Sequence, residues 1–414
     1  MKKHYFLGTA AGWSRAEIER QRRETGTHQD TLNLYHYLFR EYGAKQAIIT
    51  RNGRSAIAAA LDTYHLFKWV ERPPVMEYPN LPYKELMKKQ AEYEKRIREK
   101  YRHSRGEIII NGLTCRAVVQ GVEAAKFTPV YADIDRKTLN FTVETLEKVV
   151  TPETKAVIVQ NTLGNMVDIR AIEQFCKKHG LTLIEDLAHC VGWFYPDGRE
   201  AGKVGEIVVF SFGKEKSIDV VNGGAVGFRN RKIFMIPIPQ KAPPEEEAER
   251  ARMYPTYGLW YRRLSYVGLH GVLMRYLLKT GRVVRSAEGE IDWEERGLSD
   301  WQAKLALEKL KKRRRLAEKP LREFYLVRDR ALVLRKLRRA GYYFDGVWYD
   351  KPVGPARYYA GIKFPERECP VAVEVAERIV NLPNYYSAKE LAPARKIIEK
   401  YAESVDEYVE DDNG

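Results

Sequence analysis

Six short apolar runs between residues 107 and 228 constrain the fold more than any other feature of this chain. They are brief, rich in β-branched residues and continuous rather than alternating in polarity, which is typical of strands covered on both faces. The runs read EIIING at 107–112, TPVYADI at 128–134, KAVIVQN at 155–161, LTLIED at 181–186, EIVVFSF at 206–212 and GAVGF at 224–228.

Helical patterns separate several of these runs. In residues 169–179 apolar side chains recur at helical spacing, and Gly180 is placed to end the helix. Strands that alternate with helices predict an α/β domain with a mostly parallel sheet sandwiched between helices. Because ligands of such sheets bind at the carboxyl ends of the strands, Asn161, Asp186 and Ser211 are expected near a binding crevice.

The length of 414 residues suggests two or three domains at about 150 residues each. We predict a large domain over residues 1–236, which carries a charged insertion at about 71–105. A linker and an apolar helical insertion are expected over 237–291, followed by a smaller α+β domain over 292–414.

The net charge of +15 favours anionic partners, which include phosphorylated small molecules, nucleic acid and membrane surfaces. The run KKRRR at 311–315 follows a helical pattern and is expected to form a solvent-exposed face. Because no recognised nucleic-acid motif accompanies it, a nucleic-acid partner is disfavoured.

The cysteines are far apart in the sequence and form no CxxC pair. This spacing predicts neither a zinc site nor a disulfide framework, and reduced thiols in the cytoplasm are favoured. The start of the chain, MKKHYFLGTAAGWSRAE, has only a short apolar stretch broken by glycines, so a signal peptide is the weaker interpretation.

Residues 257–279 (YGLWYRRLSYVGLHGVLMRYLLK) form the most apolar helical candidate. Arginines interrupt it well short of the ~20 residues that a membrane span needs. An interfacial helix or a subunit contact is therefore favoured, with membrane attachment as the less favoured alternative.

A possible chemical site lies in the stretch FSFGKEKSIDVVNGGAVGF at 210–228, where Lys216 follows the end of a buried strand. Asp186 ends another such strand, so an amine and a carboxylate converge if both strands share one sheet. Pyridoxal phosphate needs an amine for its aldehyde, a carboxylate for its ring nitrogen and a phosphate site. Ser211 and the glycine turn in TRNGRSAIAAAL at 50–61 are suited to the phosphate, although such a set also recurs by chance.

Longer motifs resemble the DegT/DnrJ-type nucleotide-sugar aminotransferases, which are pyridoxal phosphate enzymes of the aspartate-aminotransferase fold (fold type I). The resemblance lies in TPVYADIDRKTLNF, TKAVIVQNTLGNMVDIRAIEQFCKKHGLTLIEDLAHCVG and GKVGEIVVFSFGKEKSIDVVNGGAVGF, and more weakly in CPVAVEVAERIVNLP. It implies a large domain with a seven-stranded type of sheet, a smaller α+β domain and a homodimer. It also implies transfer of an amino group, with glutamate as the expected donor, to a keto-sugar nucleotide.

The resemblance implies roles for individual residues. Lys216 would bind the cofactor as a Schiff base and then shuttle protons, Asp186 would pair with the ring nitrogen, and His189 would lie beside the phenolic oxygen. The phosphate would be held by Ser211 together with the glycine turn that comprises Gly53, Arg54 and Ser55. Lys214 has no counterpart role and is expected at the surface or as a charge on the phosphate side.

The sequence departs from the family pattern at several positions. Cys115 stands where relatives stack an aromatic ring on the cofactor, and residues 295–297 replace a stretch that relatives use across the dimer. Two alternatives therefore stay open. One is a relative with the same cofactor but another outcome, such as a lyase or another carbonyl acceptor. The other is a non-catalytic basic binding protein on the same scaffold.

Overall fold

The computed structural model of the protein describes residues 4–6, 13–68, 81–82, 84–89, 91–92, 105–229, 241–283, 297–313, 320–344 and 347–403. Several predicted features lie wholly or partly outside these residues. They are most of the charged insertion at 71–105, the proline-rich start of the linker at 237–240, residues 295–296, and the last two arginines of the run at 311–315.

Seven strands form the central sheet, in the spatial order β2-β9-β8-β7-β6-β3-β5. Within it β9 alone runs in the reverse direction, which confirms the predicted, mostly parallel sheet. All six predicted strands are present, as β3 and β5 to β9. The strands are β1 (Tyr5–Phe6), β2 (Gln46–Thr50), β3 (Glu107–Asn111), β4 (Thr114–Cys115), β5 (Thr128–Ala132), β6 (Thr154–Val159), β7 (Thr182–Asp186), β8 (Ile207–Ser211), β9 (Gly224–Phe228), β10 (Arg322–Leu326), β11 (Tyr342–Tyr343), β12 (Val353–Gly354) and β13 (Ile379–Pro383).

Helices cover both faces of this sheet and continue into the C-terminal part of the chain. They are α1 (Arg15–Arg23), α2 (His28–Tyr42), α3 (Gly53–Lys68), α4 (Arg116–Ala124), α5 (Val143–Glu147), α6 (Ile169–Lys178), α7 (Glu245–Ser265), α8 (His270–Lys279), α9 (Asp300–Lys311), α10 (Arg330–Ala340), α11 (Pro370–Arg378) and α12 (Ala388–Glu399). The predicted helix at 169–179 is confirmed as α6, and Gly180 follows it with φ at +67°.

The sheet strands are apolar throughout because their side chains enter two separate cores. Ile109 and Val157 pack into the core on one face, whereas Ile108 and Ile158 pack into the core on the other face. Successive side chains of a strand point to opposite faces, so a sheet that is buried on both sides requires apolar residues at every position.

The C-terminal part of the chain packs against the carboxyl-end edge of this sheet. Strand β12 pairs in parallel with β4, which places Gly354 opposite Cys115. The antiparallel pair β10 and β13 lies nearby, and β1 from the start of the chain pairs with β11. These pairings bring residues that are distant in sequence close to the ends of β7 and β8.

The apolar segment at 257–279 is a hairpin of two helices rather than one continuous helix. Helix α7 ends at Ser265 and α8 begins at His270, with Gly268 in the connection at φ +74°. A left-handed glycine there allows the chain to reverse direction. No helix among the described residues combines the length and the apolarity needed to cross a bilayer.

The prediction that the basic run at 311–315 is solvent-exposed is wrong for one of its residues. The Arg313 side chain is buried, and its Nε donates to Glu200 Oε1 at 2.7 Å. It also donates to the Tyr37 hydroxyl and pairs with Glu41 at 3.3 Å. Lys311 and Lys312 are exposed as predicted. The buried carboxylate of Glu200 explains why one cation of the run turns inward.

Candidate active site

The predicted lysine and carboxylate meet at the carboxyl ends of two adjacent strands. Asp186 ends β7 and lies opposite Val209 of the parallel strand β8. Lys216 lies in the loop after β8, and the next residue, Ser217, donates its backbone N–H to Ala188 O at 3.2 Å. This bond ties the loop to the chain just after Asp186, so Lys216 is held beside the end of β7.

His189 is the direct partner of Lys216. Its Nε2 lies 3.1 Å from Lys216 Nζ, and its Nδ1 accepts a hydrogen bond from the backbone N–H of Leu163 at 3.1 Å. Burial lowers the pKa of His189 well below its ordinary value, and the charges of Lys216 and Arg322 lower it further. The ring is therefore neutral. Since Nδ1 accepts, a neutral ring carries its proton on Nε2, which can bond Nζ only when Lys216 is an uncharged amine.

The backbone that supplies this bond to His189 is strained. Leu163 has φ at +58° and Asn161 has φ at +50°, a region that residues with side chains adopt rarely. The turn is held by Asn140, whose Oδ1 accepts from Thr162 N–H at 2.8 Å, and by the bond from Gly164 N–H to Asn161 O at 2.9 Å. Such strain persists where surrounding contacts fix it, and it is common at functional sites.

Asp186 is a buried carboxyl with one local hydrogen bond. Its Oδ1 accepts from Ala188 N–H at 3.0 Å. Burial raises the pKa of Asp186, and the Ala188 N–H and the charge of Lys216 offset only part of this effect. A cationic partner beside the carboxyl would lower its pKa again, because an opposite charge favours the ionised form. The site is therefore suited to a positively charged ligand group.

The amino end of α3 approaches Ser211 closely. A Cβ atom added to Gly53 would lie 2.7 Å from both Cβ and Oγ of Ser211, so only glycine fits there. Arg54 and Ser55 are buried in the first turn, and the Ser55 N–H donates to Asn52 Oδ1 at 2.8 Å. A helix N-terminus beside a hydroxyl group is suited to an anion.

Gly213 links this anion site to the lysine. A Cβ atom built on Gly213 would lie 3.6 Å from Ser211 Oγ and 3.8 Å from Lys216 Cγ. The structure therefore brings Asp186, His189, Ser211, Lys216 and the glycine turn at 53–55 together along one stretch of the sheet edge, formed by the ends of β7 and β8 and the start of α3. Cys115, opposite Gly354, lies near Tyr349.

Aromatic side chains enter the site from a segment that the sequence analysis did not single out. The Trp348 ring centroid lies 5.5 Å from that of His189, and Lys216 Nζ lies 5.0 Å from the Trp348 centroid. Tyr349 is buried, and burial, with a smaller contribution from the nearby carboxyl of Asp186, raises its pKa well above the ordinary value. The stretch YYFDGVWY at 342–349 was the available sequence signal.

Arg322 is a second residue that the sequence analysis missed. Its buried guanidinium pairs with Glu215 Oε2 at 2.7 Å and contacts Asn381 Oδ1 at 3.3 Å. It also lies over the Trp348 ring, 4.3 Å from the centroid. Arg322 thus connects the residue before Lys216 to the C-terminal part of the chain. Nothing in its local sequence distinguishes it from the many other arginines.

Lys214 contacts α7. Its Nζ lies 3.8 Å from the centroid of the Tyr254 ring, and burial lowers the pKa of Lys214 to about 8. The loop thus carries two lysines in different surroundings. Of these two, Lys216 is the one that contacts His189.

Residues 100–236 match the DegT/DnrJ/EryC1/StrS aminotransferase family. This match, over about a third of the chain, supports the predicted family. It includes Asp186, His189, Ser211 and Lys216, and it supports an aminotransferase that uses pyridoxal phosphate, as the sequence predicts. The C-terminal residues Arg322 and Trp348 lie outside the matched part.

Solved structures with the same fold cover nearly the whole chain. Spr1654 from Streptococcus pneumoniae in its PLP-form has a TM-score of 0.61 at 17% identity, and the match covers 97% of this chain and 99% of that one. Helicobacter pylori PseC has a TM-score of 0.58 at 18% identity, over 96% and 99% of the two chains. An aminotransferase from Psychrobacter cryohalolentis has a TM-score of 0.59 at 18% identity, over 95% and 98%. These matches confirm the predicted fold class.

Proposed function

We propose that the protein is a pyridoxal-phosphate-dependent aminotransferase that moves an amino group from an amino acid to a keto-sugar nucleotide. The observation that carries the proposal is the contact of Lys216 with the neutral His189 beside the buried carboxyl of Asp186. This group lies inside the segment that matches the aminotransferase family. Glutamate is the proposed donor, and a homodimer in the cytoplasm is the proposed state of the protein.

The residues present fit the cofactor. Pyridoxal phosphate has an aldehyde, a ring nitrogen and a phosphate, and these need an amine, a carboxylate and an anion site. Lys216 offers the amine, Asp186 the carboxylate, and Ser211 with the start of α3 the anion site. The 2.7 Å approach that excludes a side chain at Gly53 is the geometry expected where backbone must come close to a phosphate.

When bound, pyridoxal phosphate supplies an electron sink that stabilises negative charge on the substrate carbon. The residues of this chain act around it. Lys216 would hold the cofactor through its aldehyde and would carry a proton at Nζ, and His189 would position that amine. Asp186 would pair with the ring nitrogen, and the Ser211 hydroxyl would bind the phosphate.

The choice of a sugar acceptor rests on similar proteins. Spr1654 is described as a sugar aminotransferase and has been solved in PLP and PMP forms, and PseC is an aminotransferase involved in the biosynthesis of pseudoaminic acid. We extend the sugar acceptor to this chain by similarity. The net charge of +15 suits the diphosphate of a nucleotide sugar.

The cofactor and its attachment are tested by spectroscopy and mass spectrometry. Protein purified with vitamin B6 should absorb visible light, and glutamate should shift the spectrum to that of the aminated cofactor. Borohydride reduction followed by digestion should place the cofactor mass on the peptide that contains Lys216. The Lys216→Ala variant should lose this modification, whereas Lys214→Ala should retain it. An unmodified Lys216 in loaded protein would contradict the proposal.

The acceptor is tested separately by product formation. Glutamate and a panel of keto-sugar nucleotides should yield oxoglutarate with at least one acceptor. A protein that carries the cofactor on Lys216 but forms no oxoglutarate with any acceptor would favour the lyase alternative. A protein that binds no cofactor would favour the non-catalytic alternative.

A further inference from the structure

The helical hairpin of α7 and α8 exposes an unusual concentration of apolar side chains. Ten large apolar side chains are exposed in the described part of the chain, and six of them lie in this hairpin. We call these six the hairpin face: Trp260, Tyr266, Val267, Leu269, Val272 and Tyr276. Val267, at 66% exposure, is the most exposed of the ten.

Exposed apolar positions just before α8 and along it share one side of the helix. Leu269, Val272 and Tyr276 are separated by three and four residues, which places them in one row. The opposite side is used for folding, because Leu277 is buried against Tyr257 in a small core of the hairpin itself. The hairpin face therefore contributes little to holding the two helices together.

The hairpin face is surrounded by positive charge. Residues 251–283 contain six arginines and lysines and no aspartate or glutamate. Arg263, Arg275, Lys279 and Arg282 are among the exposed residues. Arg275 and Lys279 are spaced by four residues on α8, three positions after Val272 and Tyr276, so a basic row runs beside the apolar row.

We propose that the hairpin face binds the surface of an anionic lipid bilayer. Apolar side chains at the turn, such as Val267 and Leu269, enter the boundary between headgroups and acyl chains. Trp260 and Tyr276 have the amphipathic rings that favour this boundary. The exposed arginines and lysine contact the lipid phosphates, to which the part of the hairpin from residue 251 onward is complementary because it has no acidic residue. The glutamates of α7 (Glu245, Glu246, Glu247 and Glu249) lie at the opposite end of that helix from the turn.

Two other occupants fit the surface less well. A second copy related by a twofold axis would present the same basic surface to the hairpin face, with no acid in 251–283 to compensate. A nucleic acid would be attracted by the charges but would leave Val267 and Leu269 without an apolar partner.

The hairpin is joined to the candidate active site. Helix α7 carries Tyr254, which contacts Lys214, and its exposed Trp260 lies less than two helical turns further along. Attachment through the hairpin face would therefore keep the active-site loop linked to the bilayer by one continuous helix.

Vesicle flotation with the purified full chain tests the proposal. The protein should float with vesicles of phosphatidylcholine mixed with phosphatidylglycerol and stay behind with phosphatidylcholine alone. Leu269→Glu should weaken binding by about tenfold or more, because it places a carboxylate at the lipid boundary. Leu32→Glu is the matched control on α2, since Leu32 is also exposed (39%), and it should bind like the wild type.

A second pair of variants tests the charge. Arg275→Gln with Lys279→Gln should reduce binding to the anionic vesicles, whereas Lys311→Gln with Lys312→Gln, which removes the same charge elsewhere, should not. Equal flotation of wild type and Leu269→Glu would overturn the proposal, because it would show attraction by charge alone. It would also be overturned if no flotation occurred, or if light scattering without lipid showed that Leu269→Glu dissociates an oligomer.

Discussion

His189 Nε2 lies 3.1 Å from Lys216 Nζ while His189 Nδ1 accepts the backbone N–H of Leu163. A neutral imidazole has one donor and one acceptor nitrogen, so a bond accepted at Nδ1 leaves Nε2 as the donor. This second bond needs the uncharged amine form of Lys216, because an ammonium group offers no acceptor. One backbone amide, in a strained turn, thus determines which atom of the ring faces the lysine.

Replacing His189 by Asn separates the two contacts. Asn Oδ1 stands near the position of Nδ1 and retains an acceptor for Leu163 N–H, whereas the contact with Lys216 is lost. We expect attachment of pyridoxal phosphate to Lys216 to slow by about tenfold or more, because the amine is no longer held in one orientation. Absorbance after mixing apoprotein with cofactor measures the rate. An unchanged rate would show that His189 does not position Lys216.

The neutral His189 also predicts a pH dependence of stability. Its pKa is lowered well below the ordinary value, so below about pH 6.5 the unfolded chain binds a proton that the native ring does not. The free energy of unfolding therefore falls with falling pH, by at most about 1.4 kcal/mol per pH unit from this group. Thermal unfolding between about pH 7.5 and 5.5 should show a larger loss for the wild type than for His189→Asn. Equal losses would contradict the buried neutral ring.

Asp186→Asn should lower cofactor retention without lowering the stability of the apoprotein. The amide oxygen keeps the bond from Ala188 N–H and removes a buried carboxyl, so apoprotein stability should stay equal or rise by up to about 2 kcal/mol. Because the carboxyl pKa is raised in the native state, the gain should grow as the pH rises above about 4. Cofactor retention after dialysis should fall, since the partner of the ring nitrogen is lost.

The control for this variant is Glu185→Gln, at the neighbouring position in β7. Glu185 is buried and accepts bonds from three backbone N–H groups, those of Gly202, Val204 and Gly205. Loss of an acceptor should lower stability by about 1–3 kcal/mol without a specific loss of cofactor. If both variants lost cofactor equally, Asp186 would have no special role.

Gly53→Ala should damage the anion site by steric overlap. The added Cβ would lie 2.7 Å from two atoms of Ser211, so the start of α3 or β8 must move. We expect a loss of about 1–3 kcal/mol in stability and weaker binding of cofactor, because both backbone and hydroxyl shift. Gly271→Ala is the control, since no atom lies within 4 Å of its added Cβ, and it should stabilise by about 0.5–1 kcal/mol. Calorimetry with and without cofactor separates the two effects.

Arg313→Met should destabilise the protein although it removes a residue from a basic run. Burial raises the pKa of Glu200, but hydrogen bonds from Arg313 and Lys203 outweigh this and hold it below the ordinary value. Removing Arg313 leaves a buried carboxylate with less compensation, for an expected loss of about 3–5 kcal/mol in urea unfolding. The exposed neighbour Lys312→Met should change stability by no more than about 0.5 kcal/mol. Similar values for both variants would contradict the buried network.

Much of the large domain was determined by local sequence. Strands buried on both faces need continuous apolar residues, and this requirement made six of the seven sheet strands recognisable. The edge strand β2, Gln46–Thr50, whose first three residues are only partly buried, was not predicted. Asp186, Ser211 and Lys216 were predictable as a group because strand ends in a parallel sheet lie along one edge.

Only the tertiary structure decided what surrounds Lys216. Trp348 and Arg322 reach the site from strands and turns more than 100 residues further along the chain, and no local pattern records that approach. The same holds for Arg313, which turns inward toward Glu200, and for the reversal at Gly268 that divides one apolar stretch into two helices. Local sequence fixes whether a segment can be strand or helix through the burial of its own side chains. Contacts between distant segments depend on how those elements pack, so the aromatic wall of the site and the direction of buried charges were set by the fold as a whole.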